Sequence, residues 1–454
     1  MVNEDGDGGN RVARGLAGQM DIHGRGLIVA APSSGAGKTT VTLALLRVLA
    51  RAGIAVRGAK SGPDYIDPKF HQAACGKVCI NLDAWAMTPA RIAELVAGQG
   101  LLVIEGAMGL FDGAPPMGRG AVADLAKGLN LPVILVVDAG RMAQSVAPLV
   151  AGFAGHDAGV RIGGVILNNV GSARHAAMLR GALASLKIPV VGVMPRRADL
   201  AMPSRHLGLV PAEERADLEA FIERAADALS NGVAGDQPLD IGALVALAER
   251  VGGDDDPGAN AKRIKPPAQR IAVARDHAFA FAYPHMLRDW RSLGAEVLFF
   301  SPLADDPVPQ ADFVFLPGGY PELHAGQIAS ADRFLTSLRN HALDRPVYGE
   351  CGGYMVLGEG LIDAQGHRHE MAGLLGLETS FRERRLHLGY RNLCAKRGVM
   401  AGEWSGHEFH YATTLRAKGQ ALFQALDGEG AELADMGLVQ GQVAGSFAHV
   451  IDNR

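Results

Sequence analysis

Two stretches of the 454-residue chain combine residue types and spacings that could do covalent chemistry. In PVYGECGGYMVLG, residues 346 to 358, one of only four cysteines sits between glycines directly after a short apolar run. Gly349-Glu350-Cys351-Gly352-Gly353 has the glycine-x-nucleophile-x-glycine form of a sharp strand-to-helix turn. Small neighbours permit the strained turn and let backbone N–H groups approach a developing oxyanion. A thiol needs a base to become a nucleophile, and the C-terminal AGSFAHV offers His449. Upstream, FVFLPGGYPELHA ends an apolar run in Gly318-Gly319, a candidate second oxyanion donor. The plainer alternative is a buried, inert cysteine.

The other stretch is APSSGAGKTTVTLALL, a strand-like run joined to a helix-like run through Gly35, Gly37, Lys38, Thr39 and Thr40. Glycines ahead of a helix N-terminus allow backbone N–H groups to cradle phosphate oxygens. Lys38 would reach the terminal phosphates and the Thr39 hydroxyl would ligate Mg²⁺. Pro32 stands where the usual pattern has its first glycine. A Gly-rich turn that binds nothing is the alternative, and the flanking strand and helix weigh against it. LLVIEGAMGLFDG places Glu105 at a strand end, where a carboxylate can hold Mg²⁺. Asp112 lies seven residues on and could face the same cleft. AKSGPDYIDPKFH packs Lys60, Asp64, Tyr65, Asp67 and Lys69 into one Pro-punctuated loop. It could handle Mg²⁺ and anions or be an ordinary charged surface loop.

Two further clusters are less specific. GHEFHY carries His407, Glu408 and His410, but its histidines are three apart rather than the four of the zinc-binding helix motif. It reads as a loop or strand lining a cleft, not a zinc site. SFRERRLHLGYR gathers Arg382, Arg384, Arg385 and Arg391, either a solvated basic face or a docking surface for a polyanion.

These residues must be held by elements, and the chain supplies them in alternation. GLIVAAP, LLVIEGA, LPVILVVDAG, IGGVILNNV and PVVGVMP read as strands. KTTVTLALLRVLARAG, AQSVAPLVAGFAGH and ARHAAMLRGALASL read as helices between them. Such alternation implies a parallel sheet covered on both faces. A helix is expected in DIGALVALAERVG, and GDDDPGANAKRIKPPAQR is linker-like in its Gly, Pro and charge. A second α/β series then runs through RIAVARD, EVLFFSP, FVFLPGG and PVYGECGG. The expected organisation is a disordered tail at 1–23, a doubly wound domain at 24–234, a linker at 235–268 and a second doubly wound domain at 269–454.

Composition narrows the partners. The formal net charge is −4, which gives no basic excess to attract nucleic acid or an anionic membrane. Cys75, Cys79, Cys351 and Cys394 contain no CxxC pair and make no disulfide framework, which fits reduced thiols in a cytoplasmic protein. No signal-like or membrane-length apolar stretch is expected.

Taken together, KSGPDYIDP, EGAMGLFDG, LPGGYPE, YGECGGYMVLG, GHEFHY and GSFAH resemble the a,c-diamide synthases of corrinoid biosynthesis, which act on cobyrinic or hydrogenobyrinic acid. The resemblance runs from about residue 25 to the end. It implies a P-loop, dethiobiotin-synthetase-like amidoligase domain followed by a class I glutamine amidotransferase domain. Cys351 and His449 would release ammonia from glutamine, with the oxyanion on Gly319 and Gly352. In the N-terminal domain ATP would phosphorylate a corrinoid carboxylate, which ammonia then converts to an amide, twice. The resemblance implies Thr39, Glu105 and Asp64 for the metal, and Lys60, Tyr65 and Asp112 near the acceptor. Most class I amidotransferases carry Glu two residues after the histidine; here that position is Ile451, with Asp452 next, so a Cys–His dyad is expected. What orients His449 is left open, and so are a homodimer and the choice between metal-free and cobalt-bound acceptor. Alternatives are the same chemistry on nickel sirohydrochlorin or the corrin carboxylates of cobyric acid synthase, and a nucleotide-switch ATPase. The switch class carries a lysine five residues before the P-loop lysine; this chain has Ser33, and that class would leave Cys351 and His449 without a purpose.

Overall fold

A computed structural model describes residues 24–202, 204–205, 208–209, 212–251 and 261–454; the expected tail at 1–23 lies outside them. The chain forms two compact units, one up to Ala261 and one from Lys262.

In the first unit β-branched, almost uninterrupted apolar runs form a sheet buried on both faces. Val133–Asp138 (VILVVD) buries its first five residues, the pattern of an interior parallel strand. Each such side chain removed from water contributes about 1.5–3 kcal/mol to holding the sheet together. The strand order is Ile80–Leu82, Val56–Ser61, Leu101–Glu105, Arg25–Ala30, Val133–Asp138, Ile162–Val170, Val190–Pro195. All these neighbours pair in parallel. The helix Lys38–Arg51 buries Val41, Leu45, Leu46 and Leu49. Its basic residues Arg47 and Arg51 are paired with Glu219, Glu223 and Asp227 of the helix Leu218–Asn231.

The expected helix near residue 240 is shorter than its sequence pattern. It spans Ile241–Leu247, with Asp240 accepting from the Ala243 N–H at 2.8 Å. The chain then extends, and Glu249–Arg250 pairs antiparallel with Arg25 and Gly26. The neighbouring Val133–Asp138 strand begins its pairing only at Ile28, so Arg25 and Gly26 have backbone groups for this short strand to satisfy. The segment read as a linker at 235–268 therefore contains ordered elements, and Ile264 is already buried, its N–H donating to Asp289 in the second unit.

The second unit is built on a six-stranded sheet, ordered Glu296–Phe300, Arg270–Ala274, Phe313–Leu316, Val347–Glu350, Val443–Ser446, Leu438–Gln440. Only the last pair is antiparallel. To this doubly wound core are added two four-stranded sheets. One of them orders Gln424–Asp427, His387–Ala395, Gly402–His410 and Ala448–Asn453, all antiparallel. The C-terminal run changes sheets at Phe447, between Val443–Ser446 and Ala448–Asn453. GHEFHY lies on the strand Gly402–His410.

Among the described residues no helix is long and apolar enough to cross a membrane.

Candidate active sites

In the first unit, parallel register brings the chemistry to the C-terminal ends of three adjacent strands, where open α/β sheets bind ligands. Lys60 is opposite Glu105, and Glu105 is opposite Val29, which leads into the glycine-rich loop. Gly35 and Gly37 hold φ of 80° and 85°, a left-handed conformation that glycine adopts without steric cost. Gly37 also lies under Asn168: a Cβ there would come 2.2 Å from Asn168 Nδ2, which donates to the Ala36 carbonyl at 2.9 Å. Asn168 is thus an anchor of the loop, supplied 132 residues downstream. Nothing local in NNV reveals it.

Lys38 opens the helix and is mostly buried, its Nζ bonded to the carbonyls of Met108 and Ser33. Burial pushes its amine below the ordinary value, against the upward pull of Glu105. Asp112 accepts from the Gly109 N–H at 2.9 Å and adds to the negative field on Lys38, so the 106–112 loop does face the glycine-rich loop. Thr40 is the third residue of that helix and half-buried.

Glu105 is the hub. Fully buried, it accepts from Thr39 Oγ1 at 2.7 Å and Lys60 Nζ at 2.9 Å on one oxygen, and lies 2.5 Å from His71 Nε2 on the other. Burial would raise its pKa, but Lys60, His71 and Thr39 outweigh that and hold it well below the carboxylate range. Lys60 Nζ also reaches Asp67 Oδ2 at 2.5 Å, and Thr39 Oγ1 lies 3.5 Å from the same oxygen. The Asp67 and Glu105 carboxylates overcome the burial of Lys60 and keep it protonated. One lysine cannot compensate every carboxylate here. Burial, with the charges of Asp64 and Glu105, pushes Asp67 up to about 6 despite Lys60.

Two expectations shift at this point. Asp64 was expected at the metal, yet its Oδ1 accepts from the backbone N–H groups of Ile66 and Asp67 at 2.7 and 3.0 Å, shaping the turn into the helix Asp67–Cys75. Asp67, buried, lies beside Thr39, its Oδ2 3.5 Å from Thr39 Oγ1. Lys60 was expected near an acceptor, yet at 4 % exposure its charge is held between Asp67 and Glu105. Tyr65 and Lys69 are half-buried on the same segment. His71 is part of the hub, and its role appears only when the strand carrying Glu105 is packed beside its helix.

In the second unit the same logic recurs. Leu316 is in register with Gly349, Gly349 with Gly445, and Glu350 with Ser446, so three adjacent parallel strands end together. Their continuations carry Gly318, Cys351 and His449. Cys351 has φ 45° and ψ −101°, a conformation that L side chains rarely adopt, between the strand Val347–Glu350 and the helix Gly352–Leu357. Its N–H donates to the Ser446 carbonyl at 2.8 Å, which pins the turn. The glycines around it are sterically required: a Cβ on Gly353 would lie 1.9 Å from the Leu316 carbonyl oxygen.

His449 and Cys351 meet over Gly318. A Cβ on Gly318 would come 2.3 Å from His449 Cε1, 3.0 Å from its Nε2 and 3.3 Å from Cys351 Cβ. A Cβ on Gly352 would lie 3.0 Å from the Gly319 nitrogen. The expected oxyanion donors are therefore neighbours. Burial, aided by Glu322, pushes the Cys351 thiol far above its ordinary value, so it rests protonated and needs a base. His449 Nδ1 lies 3.5 Å from Glu350 Oε2, and Glu350 Oε1 accepts from the Val450 N–H at 3.1 Å. His407 faces His449 across the strand pair. Burial, then His449 and Arg391, press His407 down to about 3 and keep it neutral.

His387, Glu408 and His410 gather close enough to share an ion. Both Glu408 oxygens are already engaged, one by Arg391 at 2.7 Å and the other by His410 at 2.9 Å, and the two imidazoles stack at 4.6 Å. Arg391 thus belongs to this buried cluster, while Arg382, Arg384 and Arg385 are exposed.

The crowding at Gly318 supports a direct test. Gly318→Ala should lower glutaminase turnover on the order of 10²-fold, the usual worth of general acid–base catalysis, by displacing the His449 ring. Steady-state glutamine hydrolysis alongside a thermal melt checks it.

A glycine-rich phosphate loop at one sheet and a cysteine–histidine turn at another define a nucleotide-dependent enzyme class fed by a glutamine amidotransferase half. Residues 27–210 match the CobQ/CobB/MinD/ParA nucleotide binding domain, and residues 270–454 match the CobB/CobQ-like glutamine amidotransferase domain. The chain is 53 % identical over 437 residues to the hydrogenobyrinate a,c-diamide synthase of Brucella anthropi, covering 94 % of this chain and 98 % of that one. It is 52 % identical over 438 residues to the protein of that name from Rhodobacter capsulatus, again covering 94 % and 98 %. A solved glutamine amidotransferase aligns at 15 % identity and TM-score 0.27 over 39 % of this chain and 89 % of that one, too distant to support anything further. The chain belongs to the hydrogenobyrinate a,c-diamide synthase family.

Proposed function

We propose that this protein makes the a,c-diamide of hydrogenobyrinic acid, using ATP and glutamine. The observation that carries the reading is the pair of built sites, each assembled at the ends of adjacent parallel strands, in a chain matching its diamide synthase relatives over 94 % of its length.

At the second unit, Cys351 Sγ attacks the glutamine side-chain carbonyl as its proton passes to His449 Nε2. The tetrahedral oxyanion is met by the N–H groups of Gly352 and Gly319. Collapse expels ammonia, which takes the proton from His449, and leaves a glutamyl thioester. Water then releases glutamate and regenerates the thiol.

At the first unit, a corrinoid carboxylate oxygen attacks the γ-phosphorus of ATP, and ADP leaves. Ammonia attacks the acyl phosphate carbon and inorganic phosphate departs, giving the amide. Activation is needed because a free carboxylate would have to expel an oxide-like leaving group. Lys38 and the loop N–H groups hold the phosphates. The donors Thr39 Oγ1, Asp67 and Glu105 are all hard oxygens, a set that suits Mg²⁺. When bound there, Mg²⁺ would neutralise charge developing between the β- and γ-phosphates. Tyr65 and Asp112 are retained as candidates near the acceptor.

The test is mass spectrometry of hydrogenobyrinic acid incubated with the protein, ATP, Mg²⁺ and amide-¹⁵N glutamine, with cobyrinic acid in parallel. Two labelled nitrogens on hydrogenobyrinic acid are expected. Faster labelling of cobyrinic acid would move the acceptor to the cobalt-bound corrin. No label on either, with glutaminase intact, would overturn the acceptor and bring nickel sirohydrochlorin forward.

A further inference from the structure

We propose that Glu350, the residue immediately before the nucleophile, is the positioning partner of His449, so that the glutaminase works as Cys351–His449–Glu350. The inference deepens the glutaminase reading and rests on it.

The geometry selects Glu350 in three ways. It is 2 % exposed and ends the strand Val347–Glu350, where it pairs in register with Ser446 while the preceding Gly349 pairs with Leu316. Its carboxylate is directed to the C-terminal strand: Oε1 accepts from the Val450 N–H at 3.1 Å, and Oε2 lies 3.5 Å from His449 Nδ1. The Cε1–Nε2 edge of the imidazole lies over Gly318, which Cys351 Cβ also approaches, so Nε2 is the ring nitrogen on the nucleophile's side. A carboxylate at Nδ1 favours the tautomer with its proton on Nδ1, which leaves Nε2 free to accept the thiol proton. It also stabilises the imidazolium formed when that proton arrives. The 3.5 Å separation is long for a hydrogen bond, and such contacts tighten once substrate is bound.

The Oδ1 of Asp452 accepts from the Asn453 N–H at 2.8 Å, and Asp452 pairs in register with Ser405. The cross-strand neighbour His407 is neutral and supplies no charge. Glu350 therefore reaches the histidine from the nucleophile's own turn, a route different from a glutamate placed two residues after the histidine.

The experiment compares wild type, Glu350→Gln and Glu350→Asp in steady-state glutamine hydrolysis, with ammonia-driven amide formation and thermal melts measured on the same preparations. Gln keeps the shape and the Val450 contact but loses the charge. The expected result is a fall in kcat of about 10²-fold for Glu350→Gln with KM for glutamine unchanged, substantial recovery in Glu350→Asp, and ammonia-driven synthesis within twofold of wild type. Retention of kcat within about twofold in Glu350→Gln would overturn the assignment. So would a loss that Asp does not recover and that tracks a lowered melting temperature, since that marks a packing role. Failure of the underlying glutaminase reading shows separately, as absence of glutamine hydrolysis in wild type, and would remove this proposal with it.

Discussion

Cys351→Ala should abolish glutamine-driven amide formation, a loss of at least about 10⁴-fold, while ammonium salts at alkaline pH should still support synthesis at a rate near that of wild type. No other group at the turn can replace the sulfur: its immediate neighbours are Glu350 and Gly352, and His449 is the proposed base. The substitution is sterically mild, since alanine keeps the Cβ that already sits at φ 45°, and the turn is pinned by the backbone bond from residue 351 to Ser446. Because the two units are separately compact, the nucleotide site keeps its own hydrogen bonds. Product mass after incubation with glutamine, and separately with ammonia, checks the result. Loss of both activities in a folded variant would refute the division of labour between a glutaminase and a synthetase.

Lys38→Ala should remove synthesis with either nitrogen source, by about 10³-fold or more, and leave basal glutamine hydrolysis in place. Lys38 is held between the Met108 and Ser33 carbonyls, poised over the loop where terminal phosphates would lie. Its loss takes away the one positive charge of the glycine-rich loop itself, whereas Lys60 is tied to Asp67 and Glu105. Burial already costs this amine some of its charge stability, so a phosphate that restores it gains a strong, poorly solvated partner. Amide product and ADP release, each measured with glutamine and with ammonia, report the effect. Full retention of synthesis would take the phosphate loop out of the mechanism.

These two effects mark the parts of the protein that could be read directly from residue order. The phosphate loop and the cysteine turn are local objects. Each needs only glycines, a functional residue and a change of hydrophobic period within about a dozen positions, because the backbone conformation that does the work is set by neighbours in the chain. The alternation of apolar runs with helical stretches likewise reports a doubly wound fold, since a strand buried on both faces has no polar positions to spare.

Partnerships across strands were not legible in this way. Asp64 and Asp67 are the same residue type three positions apart, and only the start of the helix Asp67–Cys75 decides that Asp64 serves the backbone while Asp67 faces Thr39. Lys60 reads as a loop lysine until parallel register sets it opposite Glu105, where a buried carboxylate claims its charge. His71 and Asn168 carry no local motif, and they acquire their roles from packing against Glu105 and Ala36. His449 could be named from the Gly-Ser segment before it and from the cysteine turn that needs a base, but not what orients it. Glu350 lies 99 residues earlier and meets it because the last strands of the second unit cross from one sheet to the other at Phe447. The sequence by itself determined the two chemistries, because a turn and its nucleophile or phosphate cradle are written in consecutive residues. Tertiary structure alone decided which buried charges face one another, because strand order and register bring together residues that no spacing along the chain relates.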